Sequence, residues 1–130
     1  MRARRSVFLM VGVAILVLSG CGGSSGGAPA VSLSSFPSDA SRVIARDETF
    51  IGDSVPVKAG AQFNLVLDNR YGEPHNVTIL ANQSGGAARF VGEVFSGPAA
   101  RMYTVPALDA GTYQFRCDVH QSMTGTIVAS

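Results

Sequence analysis

The sequence predicts an all-β domain, an antiparallel sandwich of about eight short strands, preceded by an N-terminal stretch that is not part of the fold. Three observations predict it. After residue 41 no segment sustains a helical period of apolar residues. Short runs alternate apolar and polar residues instead, with the period of a half-buried strand. Gly, Pro, Asn and Asp punctuate those runs at the spacing of two packed antiparallel sheets. With no internal repeat and no second domain visible, about ninety residues remain for one small domain with one core.

The N-terminal stretch reads as export machinery. Arg2, Arg4 and Arg5 form a basic start, and Val7 to Leu18 form an apolar run of twelve residues. That run is too short to cross a bilayer comfortably, so residues 1–20 are expected to be a signal peptide. Its end, Leu18-Ser19-Gly20-Cys21, resembles the lipobox of bacterial lipoproteins. The resemblance implies cleavage before Cys21, acyl chains on that residue, and attachment to a membrane through the lipid, since several chains together anchor stably. An ordinary secretory signal cleaved nearby, with Cys21 incidental, is the alternative. From residue 21 to 41 the chain is rich in Gly, Ser, Ala and Pro and almost uncharged. Such a segment buries too little apolar surface to offset its ordering entropy. It is expected to be a flexible tether with a span of roughly 25 Å, and the folded domain is expected to cover 42–130.

Loss of the signal changes the charge. Seven basic residues (Arg42, Arg46, Lys58, Arg70, Arg89, Arg101 and Arg116) then face nine acidic ones, a net charge near −2 instead of +1. No basic cluster remains, which argues against a nucleic-acid partner.

The strands are expected in order near 42–51, 54–58, 62–68, 76–81, 89–95, 100–105, 111–117 and 124–129. The first two end at Ala59-Gly60, a turn signal. In the third, Phe63, Leu65 and Leu67 alternate with polar neighbours, and Gly72-Glu73-Pro74 closes the segment after it. Val77 and Ile79 alternate in the fourth, which ends at Ser84-Gly85-Gly86. Asp109-Ala110-Gly111 separates the sixth from the seventh, where Tyr113, Phe115 and Cys117 share one phase. By the same phase His75 faces the way Val77 and Ile79 do. If the fourth and seventh strands run in opposite directions, His75 at the start of one and Cys117 at the end of the other meet inside one end of the sandwich, with Gln114 and Arg116 facing outward. A slip of one residue would destroy that relation.

The chemistry concentrates at Cys117-Asp118-Val119-His120-Gln121-Ser122-Met123, together with His75. These supply one soft thiolate, two imidazoles and a weak thioether, the donor set of two histidines and a cysteine with a long axial methionine that holds copper for electron transfer. The chain has two histidines, and both belong to this set. Zinc is the rival metal, but a structural zinc site takes four strong N, S or O ligands and a thioether is a poor fourth. If Cys21 is acylated, Cys117 has no disulfide partner, and a metal bond would protect its thiol in an oxidising compartment.

The segment from Gly111 to Val128, with Glu73-Pro74-His75-Asn76-Val77, resembles the cupredoxins, the small blue-copper proteins such as plastocyanin, amicyanin and pseudoazurin. The likeness is loose after the tether and close from residue 62 onward, and the short His120-to-Met123 spacing is most similar to amicyanin. The resemblance implies a Greek-key sandwich and one mononuclear Cu(I)/Cu(II) ion. It implies His75, Cys117 and His120 as equatorial ligands and Met123 as the axial one. Asn76 would tie the two ligand loops together through hydrogen bonds around the ligands. Relatives commonly carry a proline beside the second histidine, where this chain has Val119 and Gln121. Asp118 adds a negative charge next to the thiolate that can shift the potential; its side chain is expected to point to solvent, where the effect is modest.

The implied function is single-electron transfer by a monomeric domain held outside the cytoplasmic membrane, with redox partners docking transiently near the exposed His120 and with Val119 in the docking patch. Residue counts argue against enzymes. A multicopper oxidase needs further histidines, a binuclear copper centre needs a second cysteine in the same loop, and a Ser-His-Asp hydrolase would compete for a histidine of this set. The alternative from another class is a copper-delivery protein of the cell envelope. Such carriers expose Met-rich or His-rich tracts, whereas the mature domain has only Met102 and Met123. A third reading is an adhesive sandwich without metal, with Cys117 merely buried.

Overall fold

The computed structural model describes residues 32–130. The expected signal peptide, Cys21 and the tether as far as residue 31 lie outside the described residues. Leu33–Ser35 form a single 3-10 turn, and every other regular element among the described residues is a strand. The strands are β1 (Ser41–Arg46), β2 (Thr49–Ile51), β3 (Ser54–Val57), β4 (Phe63–Asn69), β5 (Pro74–His75), β6 (Thr78–Asn82), β7 (Gly85–Val91), β8 (Phe95–Ser96), β9 (Ala99–Val105), β10 (Gly111–Arg116) and β11 (Thr124–Ala129).

The sandwich has a four-stranded sheet ordered β2-β1-β4-β9 and a five-stranded sheet ordered β3-β11-β10-β6-β7, with β5 and β8 paired separately. Most neighbours run antiparallel, as expected, but β1 pairs parallel with β4 and β3 parallel with β11. Alternation fixes which face of a strand is buried and leaves open which strand it pairs with, so these parallel pairings were not legible. Val43, Leu65 and Leu67 from one sheet and Ile79, Phe115 and Ile127 from the other are fully buried. Phe50 meets Phe115 at 5.2 Å between ring centroids, joining the layers.

About eight strands were expected and eleven are present among the described residues: the expected strands 42–51 and 89–95 each divide in two, and Pro74–His75 form a short strand ahead of the expected 76–81. The first turns back at Asp47-Glu48, where Arg46 pairs with Thr49 and Asp47 takes φ of 51°. Aspartate tolerates that left-handed conformation better than most residues, and the two-residue turn makes a hairpin. The expected strand 89–95 starts earlier, at Gly85, since the tight turn is Gln83-Ser84 with Ser84 N donating to Asn82 Oδ1 at 2.9 Å. It stops at Val91, and Phe95–Ser96 form a separate strand.

His75 thus belongs to a strand separate from β6. Residues 75–79 are all buried, so alternation does not determine where the histidine points. His75 pairs with Phe95, whereas Thr78 and Ile79 pair with Arg116 and Phe115. The chain changes partner at Asn76-Val77. The antiparallel pairing of β6 with β10 still brings His75 to the end of the sandwich where β10 finishes at Arg116 and Cys117 follows.

Candidate metal centre

His75 is held by β5 and the loops packed around it. Asn69, fully buried at the end of β4, donates through Nδ2 to Glu73 O at 2.8 Å and to Phe95 O at 3.2 Å. Its Oδ1 accepts from Tyr71 N at 3.3 Å. One amide thus fixes the turn before His75 and the strand paired with it. Gly97 follows, where a Cβ would overlap the Tyr71 and Asn69 carbonyl oxygens, so the close approach of these backbones requires glycine. Asn69 went unnoticed in the sequence, where a polar residue ending an apolar strand signals only a turn.

Cys117, His120 and Met123 lie on the loop joining β10 to β11, whose last pair is Arg116 with Thr124. Cys117 N donates to Met123 O at 3.0 Å and Met123 N to His120 O at 2.9 Å, so the loop is closed on itself. Cys117 and His75 are 0 % exposed and Met123 1 %, while His120 is partly exposed. The structure therefore brings the four sequence-selected residues to one end of the sandwich.

Three donor atoms converge there. His75 Nδ1 lies 3.2 Å from His120 Nδ1 and 3.7 Å from Cys117 Sγ, and His120 Nδ1 lies 4.0 Å from that sulfur. A single ion holding nitrogen at about 2.0 Å and sulfur at about 2.3 Å separates its donors by roughly 3–4 Å. Two imidazole lone pairs facing each other at 3.2 Å repel unless a proton or a cation lies between them. Burial, and next the electrostatic effect of the neighbouring His120, lower the pKa of His75, against a weaker opposing effect of Glu73. His75 is thus kept neutral, the form a metal needs. Its Nε2 is buried without a hydrogen-bond partner. The donor set fits one copper ion: a soft thiolate suits Cu(I), imidazoles suit both oxidation states, and a buried methionine lies on the same loop.

Asn76 connects the two loops. It accepts through Oδ1 from Asp118 N at 2.9 Å and donates through Nδ2 to Gly92 O at 2.9 Å. Asp118 is exposed, as expected, but it is also anchored: one carboxylate oxygen accepts from Thr78 Oγ1 at 2.6 Å and Asn76 Nδ2 at 2.9 Å, with Arg116 Nε 3.5 Å from the other. Burial raises its pKa, and the bonds from Thr78 and Asn76 together with the charge of Arg116 lower it by more, so the net shift is downward. The buried donors that hold this oxygen lie some forty residues upstream.

A family model described as a cupredoxin-like domain matches residues 11–129. Among solved structures, the chain is similar to amicyanin from Paracoccus versutus (Thiobacillus versutus), with 26 % identity over 77 % of this chain and 90 % of that one and a TM-score of 0.58. It is similar to a single-substitution amicyanin variant in its reduced Cu(I) form at pH 4, with 27 % identity over 75 % and 88 % of the two chains and a TM-score of 0.58. A dithionite-reduced auracyanin from the photosynthetic bacterium Roseiflexus castenholzii shares the fold, with 14 % identity, 68 % and 94 % coverage and a TM-score of 0.59. No curated protein matches the chain.

Proposed function

The chain belongs to the cupredoxin-like family, and on that premise we propose that it is a mononuclear type 1 (blue) copper protein passing single electrons between redox partners outside the cytoplasmic membrane. The observation that carries this reading is the convergence of His75 Nδ1, His120 Nδ1 and Cys117 Sγ within 4.0 Å of one another. These three would hold the ion, and Met123, buried on the same loop, would offer its thioether as a weaker fourth donor. When bound, copper supplies a centre that gains and loses one electron between Cu(II) and Cu(I).

The chain's own residues set the conditions for that exchange. Burial of His75, Cys117 and Met123 keeps water from the donors and limits their movement between oxidation states. Asn69 and Asn76 fix the two segments through buried hydrogen bonds, so the donor positions precede metal binding. His120 is the partly exposed member and gives electrons a short path to the surface. Val119 beside it is 44 % exposed and belongs to the face that partners touch. Such contacts are small and short-lived, as suits a carrier. No substrate turnover is assigned to the domain. The signal segment and Cys21 support a lipid-anchored, extracytoplasmic location.

Addition of Cu(II) to the purified soluble domain tests the proposal. An intense blue charge-transfer band is expected from a copper–thiolate bond. A colourless protein whose Cys117 still reacts with thiol reagents after unfolding overturns it. Retention of copper through repeated reduction and reoxidation is expected of a carrier; release on reduction would favour delivery. For the anchor, replacement of Cys21 by Ser should release the protein from membranes.

A further inference from the structure

The segments carrying the metal donors are bridged by a carboxylate that is not one of the copper ligands. Asp118 Oδ2 accepts from Thr78 Oγ1 at 2.6 Å and from Asn76 Nδ2 at 2.9 Å. Its own N–H donates to Asn76 Oδ1 at 2.9 Å. Asn76 and Thr78 are both buried, 1 % and 2 % exposed. Asn76 follows His75 in the chain, and Asp118 follows Cys117. The side chain is therefore seated on the protein interior at one oxygen and faces Arg116 Nε, at 3.5 Å, with the other. Hydrogen bonds to an ionised acceptor are shorter and stronger than those to a neutral one, and the 2.6 Å bond from Thr78 is in that range.

We propose that Asp118 is a positioning residue of the metal centre whose clamped carboxylate locks the Cys117 loop against the His75 segment and biases bound copper toward Cu(II). This rests on the copper reading above. A negative charge held at a fixed place favours the more highly charged oxidation state. Arg116 opposes it, and with the two side chains 38 % and 35 % exposed solvent screens both charges. The carboxylate is held by buried donors and is less free to move away from the site. The bias follows from the constant charge and its seat, neither of which a serine or threonine at this position would supply.

The test compares copper-loaded wild type with Asp118→Asn, Asp118→Ser and Asp118→Glu by spectroelectrochemical titration at neutral pH. A blue wild type is the precondition; a wild type that stays colourless defeats the copper reading itself. Given a blue wild type, Asp118→Asn is expected to raise the Cu(I):Cu(II) ratio at a fixed applied potential by about tenfold, the scale of one partly screened charge, which for a one-electron couple is about 59 mV. Asp118→Glu, which keeps the charge, is expected to stay within about threefold of wild type on the same scale. An unchanged or lowered ratio in Asp118→Asn overturns the proposal while leaving the copper reading intact. If Asp118→Asn does not load copper, the same ratio in Asp118→Ser decides in the same way. If neither neutral variant loads, hydrogen exchange of the residue-118 amide in the copper-free domain decides: faster exchange than wild type supports the lock, and wild-type protection overturns it.

Discussion

Asn76 and Asp118, 42 positions apart, bond to each other twice, with Asp118 N donating to Asn76 Oδ1 and Asn76 Nδ2 donating to Asp118 Oδ2, each at 2.9 Å. Each residue directly follows a metal-donor candidate, so the pair fixes the distance between His75 and Cys117 through backbone that cannot stretch. Replacing Asn76 by Ala leaves the Asp118 N–H without its acceptor and removes the donor to Gly92 O. The expected cost is about 2–4 kcal/mol of stability, read by urea unfolding of the copper-free domain. Copper affinity should fall by about 10–100-fold, the usual effect of losing a group that orients ligands.

Asn69 acts one step further out. Its amide holds Glu73 O and Phe95 O on either side of the two-stranded β5–β8 pair, with no exposure to solvent. Asn69→Asp keeps the size and removes the donors, setting a buried carboxylate against two carbonyl oxygens. A loss of about 2–5 kcal/mol is expected. Hydrogen exchange should quicken first in residues 70–76 and 95–98. Uniform loss of protection across β10 and β11 would show instead that the residue supports the whole sandwich.

Much of this arrangement was legible in the sequence, and what was not has physical causes. Turn residues and alternation located most strands, and donor chemistry selected His75, Cys117, His120 and Met123. The phase argument put Cys117 inside correctly, because β10 alternates buried Tyr113 and Phe115 with half-buried Gln114 and Arg116. For His75 it reached the right interior by the wrong route, since the strand breaks at Asn76-Val77 and every residue there is buried. Asn69 and Thr78 stayed unread, and so did the bonds that anchor Asp118, because a polar side chain's function depends on the partner it meets, and these partners come from distant parts of the chain. The parallel pairings of β1 with β4 and β3 with β11 depend likewise on contacts between strands, which a single strand's pattern does not encode.

Met123 separates fold from tuning. Its backbone closes the ligand loop by bonding Cys117 N and His120 O, and those bonds survive any side-chain replacement except proline. Met123→Leu keeps volume and apolarity and is expected to cost less than about 1.5 kcal/mol in the copper-free domain. Loss of the thioether removes a weak donor that favours Cu(II), so the reduction potential of the loaded protein should rise while the blue band persists. An unchanged potential would place the sulfur outside the metal's reach and assign Met123 to packing.

The facing imidazoles predict how the copper-free domain responds to acid. His75 Nδ1 stands 3.2 Å from His120 Nδ1, and burial together with the nearness of that second imidazole holds the pKa of His75 below its ordinary value of 6.5. The unfolded chain protonates this histidine near that ordinary value, while the folded domain resists. As pH falls below about 6.5, the unfolded state therefore binds more protons than the folded one, and stability declines. The decline continues until the lowered folded-state pKa is passed, with a slope of at most about 1.4 kcal/mol per pH unit for one group. Above pH 7 both states carry a neutral His75 and the contribution is flat. Urea unfolding at intervals from pH 7.5 to 5 should show this slope in wild type and a shallower one in His75→Gln, which cannot take up the proton. Equal slopes in the two proteins would assign the acid sensitivity to carboxylates. A bound metal takes the place of the proton between the two rings, so copper-loaded protein should resist acid to a lower pH than the copper-free form.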